Sequence, residues 1–372
     1  MFKNLVVIEL SSVLAGPMVG MFFAELGARV IKIENKKTGG DVTRTWKLKN
    51  EQSGDVSAYF ASANFGKESI ALDIALPNDY NLLCTIVAKA DIVLSNYQPK
   101  VARKLKVDYH TLSLFNPTLL YGQITGYGMD DNRAGYDAVI QAESGFMSMN
   151  GTPGTEPTKM PVALMDILAA HQLKEGLLVA MIERLQNGKG KFVHVSLLDS
   201  AIASLANQAT NYLQNKHCPQ QTGSHHPNIA PYGTLFTTRD EHTIIFAVGT
   251  DAQFQSLCTI LNAPELAADV RFTTNQQRVV NRTELIQLLQ NKVSNINSTE
   301  LLQLCYQHKV PVGKVQTVQE ALESPESQSM ILATNGFKAP KTTAFATDSE
   351  NISPPPQYNQ HELAIRAEFK TS

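Results

Sequence analysis

The stretch from Leu5 to Glu34, LVVIELSSVLAGPMVGMFFAELGARVIKIE, constrains this chain more than any other. Leu5 to Leu10 is a short run suited to a buried parallel strand. It opens into a loop containing Gly16-Pro17, then a helix through Met21 and Phe22 to Leu26, which Gly27 ends. Arg29 to Glu34 is the next strand. Strand, helix and strand within about 30 residues form a βαβ unit, the start of a Rossmann-like sheet. The turn lacks GxGxxG and offers Ser11, Ser12, Ala15 and Gly16 instead, so a dinucleotide is not the expected ligand.

The same rhythm continues. SIALDI, ending at Ile74, reads as a strand with Asn64, Gly66 and Lys67 just ahead of it, followed by ADIVLSN (Ala90 to Asn96) and NPTLLYGQI (Asn116 to Ile124). Ligands gather at the carboxyl ends of such strands, so Asn96, Tyr97, Gln98 and Pro99 form either a binding rim or a plain strand-to-helix loop. The glycines of Thr125 to Gly128 permit close approach of a ligand, or a tight turn. In TGGDVTR, Asp41 and Arg44 read as a surface pair, the alternative being an intersubunit contact.

Met160 to Asp199 holds the candidate chemistry. Pro161 to Met165 reads as an extended apolar run, and Leu173, Leu177, Met181 and Leu185 fall on one helix face. Asp166 sits at the junction, where it can be an N-cap held by the first-turn amides. A carboxylate kept ionised there can also attack a thioester, with the same amides stabilising the oxyanion. The two roles are compatible. The helix should stop at Asn187-Gly188, with a strand at Phe192 to Ser196 and a second helix from Leu197 to about Leu213.

A large domain is expected over 1–214, a linker over 215–232 and a small α+β domain over 233–329. In the latter, Gly233–Thr238 and His242–Gly249 read as a hairpin, followed by helices at Asp251–Leu261, Arg282–Lys292, Ser298–His308 and Val318–Glu323 and a strand at Val310–Val315. Residues 330–372, with Pro354-Pro355-Pro356, read as irregular and are expected to return to the large domain. His225 and His226 are adjacent and diverge on any regular element, and Cys84, Cys218, Cys258 and Cys305 have no paired spacing, so no metal site or disulfide framework is expected. A net charge of -2 gives no electrostatic case for nucleic acid or anionic membrane. With no apolar run of about 20 residues and no signal-peptide pattern, a cytoplasmic protein is expected.

Seven blocks, taken together and in order, resemble the family III CoA-transferases: VLAGPMVGMFFAELGARVIKIE, GDVTR, NFGKESIALDI, ADIVLSNYQP, NPTLLYGQITGYG, GYDAVIQAESG and VALMDILAAHQLKEGLLVAMIERLQNGKGKFVHVSLLD. The resemblance implies an α/β fold, with a Rossmann-like large domain and a smaller α+β domain in an interlocked, ring-like homodimer. It implies that Asp166 is the nucleophile, passing through a mixed anhydride and an aspartyl-CoA thioester, with coenzyme A as co-substrate and no other cofactor. By position it implies CoA contacts at Leu14, Ala15, Leu72, Asp73, Ile74, Asn96, Tyr97, Gln98, Lys104, Gly135, Tyr136 and Asp137.

Gln98 stands where relatives often place a basic residue, and Asn35 where an arginine often stacks on adenine. Racemases of the family carry a histidine at the position of Tyr136; a phenol, with an ordinary pKa of about 10, is poorly suited to α-proton exchange, which argues for transferase. LLDSAIASLANQATNYL and SHHPNIAPYGTLFTTRDEHTIIFAVGTDAQF resemble the subgroup that uses succinyl-CoA with dicarboxylic acceptors. The alternatives are an acyl-CoA racemase of the same fold and a CoA-binding homologue without turnover.

Overall fold

In the computed structural model the described residues are 1–345 and 352–369. They form two compact units, one of Met1–Phe146, Lys159–Cys218 and Ser329–Ser372, the other of Met147–Thr158 and Pro219–Gln328.

The first unit is built on a six-stranded sheet of order β3-β2-β1-β4-β5-β6. Its strands are β1 (Val6–Leu10), β2 (Arg29–Asn35), β3 (Lys67–Leu72), β4 (Ile92–Ser95), β5 (Leu120–Thr125) and β6 (Lys191–Ser196). Every neighbouring pair is parallel. The order reverses between β1 and β4, so the loops after these two strands run apart and leave a crevice at their carboxyl ends.

Helices cover both faces because successive strand residues point to opposite sides. Val7 packs with α1 (Ala15–Glu25) and with the long helix Leu164–Asn187, while Ile8 packs with α2 (Pro77–Val87). Two glycines bring α1 directly onto β1: a Cβ on Gly20 would lie 1.9 Å from Glu9 Oε2, and one on Gly16 2.4 Å from the Ser11 side chain. Further along the chain come α3 (Pro99–Lys104), α4 (Asp137–Glu143), α5 (Leu164–Asn187), α6 (Leu197–Ala203) and α7 (Ala206–Asn215).

Charged strand residues on a doubly covered sheet must find partners inside it. Glu9 takes Lys32 Nζ at 2.8 Å on one oxygen and Lys67 Nζ at 2.7 Å on the other. Glu34 takes the Arg44 guanidinium at 2.7 and 2.8 Å. Asp41 and Arg44, expected on the surface, are therefore buried: the 310 turn Val42–Thr45 folds onto β2, where the carboxylates and ammonium of the sheet need counter-charges.

Four further expectations change. Pro161–Met165 is not a strand; Pro161 and Val162 lie in an exposed bend, and helix α5 begins at Leu164, where the Met165 amide is taken by Asp137 and its side chain enters the core. The helix expected over Leu197–Leu213 is two helices, broken where Ala206 takes φ +47°. The C-terminal part has regular structure: Ile331–Thr334 pairs antiparallel with Phe337–Pro340, and Glu362–Glu368 is helical. Asn359 and His361 bond to Ala71 and Ser69, covering the open edge of β3. Of α5's expected stripe, Leu173 and Leu177 are buried but Leu185 is 87% exposed.

The second unit carries an antiparallel sheet of β7 (Tyr232–Thr237), β8 (Thr243–Ala247) and β9 (Val312–Lys314), as the alternating hairpin pattern predicts. Helices Asp251–Ile260, Arg282–Val293 and Ser298–Gln307 close its core around Phe236, Phe246, Phe254 and Leu285. Sequence reading missed Pro264–Ala268 and Asn275–Val280. The second of these carries Arg278, which is fully buried and bonded to Ala230 O, Phe272 O and Asp251.

Candidate active site

The crevice between the β1 and β4 loops contains a cavity of about 330 Å³. Ser12–Ala15, Asn96–Pro99, the end of β5 and the segment around Gly135–Asp137 line it, and Asp166 forms part of its wall. Of the residues marked by sequence, Leu14, Ala15, Asn96, Tyr97, Gln98, Gly135, Tyr136, Asp137 and Asp166 meet here. Leu72, Asp73 and Ile74 line a separate slot of about 190 Å³ beside β2 and β3, which shares Tyr97 with the main cavity and includes Asn35. Lys104 joins neither; it is exposed on the last turn of α3. Arg133 and Asp131 also line the main cavity, Arg133 lying over the Tyr127 ring at 3.7 Å. Sequence reading gave these two no role, since neither sits in a spacing that marks them.

Asp166 is not the N-cap. That place belongs to Ala163, and Asp166 is the third residue of α5. The helix-terminal amide of Met165 donates to Asp137 Oδ1 at 2.8 Å, so the capping carboxylate comes from α4. Gln141, itself buried, donates to Asp137 Oδ2 at 2.7 Å and accepts from Met160 N at 2.8 Å. This clamp fixes the entry into α5 and with it the placement of Asp166.

The consequence for the charge is opposite to the expectation. Asp166 takes no hydrogen bond from any described residue, and burial, aided by the nearby Asp137 carboxylate, pushes its pKa up to about 7. A helix N-terminus favours an anion by only about 0.3–1 kcal/mol, too little to offset desolvation. A carboxylate so poorly solvated is a stronger base and nucleophile than an ordinary one, and it has no bonded partner to break before reacting. Tyr59, in the first unit, is pushed up to about 12 by burial and by the charges of Asp166, Asp137 and Asp41, a neighbour that no motif marked.

The loop over the cavity depends on two glycines. A Cβ on Gly135 would lie 2.2 Å from Gly126 Cα, so backbone meets backbone at that point. Gly135→Ala should therefore force the loop apart, costing about 1–3 kcal/mol in chemical denaturation; an unchanged midpoint would show that the contact gives freely.

The comparisons with known proteins agree with one another. The sequence matches the model of CoA-transferase family III over residues 2–362. The succinate–glutarate CoA-transferase of Agrobacterium fabrum is 36% identical, over 98% of this chain and 94% of that protein. Acetyl-CoA:oxalate CoA-transferase of Acetobacter aceti is 32% identical over 99% of this chain and 95% of that one. Human succinyl-CoA:glutarate CoA-transferase is 31% identical over 97% and 84%. Among solved structures, a CAIB/BAIF family protein from Brucella suis superposes with a TM-score of 0.85 at 37% identity, covering 99% of both chains. With a family model spanning nearly the whole sequence and relatives alike over nearly their full length, this chain is a member of CoA-transferase family III and an enzyme of the transferase class.

Proposed function

We propose that the protein moves coenzyme A from an acyl-CoA, succinyl-CoA being the first candidate, to a carboxylic acid, most plainly a dicarboxylate, with Asp166 as nucleophile. The observation that carries this reading is the buried, unbonded carboxylate of Asp166 on the wall of a cavity at the sheet's switch point. The names of the relatives, which act on succinate, glutarate and oxalate, support the substrate class.

In the proposed sequence the Asp166 carboxylate attacks the thioester carbonyl and CoA leaves as thiolate, giving an aspartyl-acyl anhydride. The thiolate then attacks the Asp166 carbonyl of the anhydride, forming the aspartyl-CoA thioester and releasing the donor acid. The acceptor carboxylate attacks this thioester, and the returning thiolate takes the acceptor's acyl group, restoring Asp166. One thioester replaces another, so the exchange needs no energy input and no group beyond coenzyme A. CoA would lie along Leu14, Ala15, Asn96–Gln98 and Gly135–Asp137, with its adenine towards the Leu72–Ile74 slot. Lys104, away from both cavities, would act only through outlying phosphate.

A racemase has less support: Tyr136, at the cavity mouth and 61% exposed, is a phenol where proton exchange needs a group titrating near neutrality. An interlocked homodimer in the cytoplasm completes the proposal. No described helix is long and apolar enough to cross a membrane.

The direct test incubates purified protein with succinyl-CoA and a panel of mono- and dicarboxylic acids, reads new CoA esters by mass spectrometry, and traps the enzyme with hydroxylamine. A hydroxamate mapped to Asp166 is the expected result; exchange without any adduct there would sink the nucleophile assignment. Because the carboxylate must be ionised to attack and titrates at about 7, kcat/KM should fall about tenfold per pH unit below that value. A profile flat from pH 5 to 8 would contradict it.

A further inference from the structure

The loop leading into α1 carries a conformation that its own residues do not favour. Val13 has φ +71°, a left-handed backbone for a β-branched side chain, which persists only where its surroundings enforce it. Three groups hold three successive residues. Lys32 Nζ donates to Ser11 O at 2.9 Å. Asn96 accepts from Ser12 N at 3.1 Å and donates to Ser12 O at 2.8 Å. Val13 N donates to Asp41 Oδ1 at 3.3 Å.

Asp41 is itself fixed from every side. Its amide donates to Glu34 Oε2 at 2.9 Å, and Oδ1 accepts from Thr43 N at 3.0 Å and Thr43 Oγ1 at 2.8 Å. Oδ2 stands 2.9 Å from Lys32 Nζ, a charge contact rather than an aligned hydrogen bond. Lys32 is in turn paired with Glu9 in the sheet. The buried ionic cluster thus reaches from the strands to the one strained residue of the loop. Directly after Val13, Leu14 supplies no side-chain cap, and the first-turn amides of α1 have no intrahelical acceptor. Val13, Leu14 and Ala15 share the cavity wall with Asp166.

We propose that Asp41 is a positioning residue for acyl transfer: by accepting from the Val13 amide it holds the loop in the conformation that places Leu14 and Ala15 on the cavity wall around Asp166. Asp41 does not line that cavity, so it acts through Val13. The proposal rests on reading the cavity as the site of transfer.

A double-substitution cycle tests it. Glycine adopts positive φ without strain, so Val13→Gly removes the need for enforcement. Asp41→Ala, which leaves the Val13 amide without its acceptor, should in the otherwise native chain lower kcat at least thirtyfold, and in the Val13→Gly background only a few-fold, while its fall in melting temperature, caused by uncovering Lys32, stays the same in both. Equal losses of activity in the two backgrounds, or no loss in either, would overturn the proposal. Should Asp41→Ala fail to fold, Asp41→Glu keeps a negative charge for Lys32 and displaces the acceptor, and the cycle built on it supports or overturns the proposal by the same comparison of the two backgrounds. Asp166→Asn assayed alongside separates the failures. Turnover surviving that substitution removes the reading of the site and this proposal with it. An inactive Asp166→Asn protein beside an uncoupled Asp41 removes this proposal alone.

Discussion

Asp166→Asn should give a protein that is inactive and more stable than its parent. The amide cannot form the anhydride, so transfer should fall by about 10⁴-fold or more, as losses of nucleophiles do. The stability gain follows from the raised pKa. Between pH about 4 and 7 the unfolded chain has released the Asp166 proton while the folded protein keeps it, so stability that is full below the ordinary aspartate pKa is lost as pH rises towards 7. A shift of that size corresponds to at most about 4 kcal/mol above neutrality, shared with the Asp137 charge that helps to cause it. Asparagine carries no charge to desolvate, so the variant should gain up to that amount at pH 8 and little at pH 4. Urea melts at the two pH values measure it. A variant less stable than its parent at pH 8 would mean that Asp166 is held ionised by a contact the variant loses.

Glu9→Gln should have the opposite effect, costing about 3–5 kcal/mol at pH 7, the range for breaking one side of a buried ion pair. Glu9 is the shared counter-ion of two fully buried lysines. Lys32 would keep Asp41, but Lys67 would be left with neutral acceptors alone, Asn64 Oδ1 and Pro17 O at 2.9 Å and at most the new amide oxygen. Burial already pushes Lys67 down to about 8, and without Glu9 it falls further. In the variant the folded protein therefore releases the Lys67 proton while the unfolded chain still holds it, and stability recovers as pH rises from 6 to 9. Denaturation midpoints across that range check both points; a loss below about 1 kcal/mol, unchanged with pH, would show that water reaches the cluster.

Much of the architecture was legible because parallel strands on a covered sheet are short apolar runs separated by helices. All six strands of the parallel sheet coincide with such runs, and the hairpin of the second unit with an alternating pattern. Asp166 was legible too, as a carboxylate at the opening of a helix after apolar chain. Its electrostatic state was not. Local sequence suggests a capped, ionised aspartate, but Asp137, 29 positions earlier in the chain, takes the amide instead.

Asp41 and Arg44 make the same point from the other side, since in a loop rich in glycine and threonine two charges read as surface. Only the sheet, by burying Lys32 and Glu34, gives them partners inside. Periodicity and turn chemistry are local properties, so the elements, their parallel layering and the position of the candidate nucleophile follow from neighbouring residues along the chain. Burial and charge pairing depend on residues distant from one another in sequence. The packed fold is therefore what selects which carboxylate caps, which stays unbonded and basic, and that Val13 is held by Asp41 beside it.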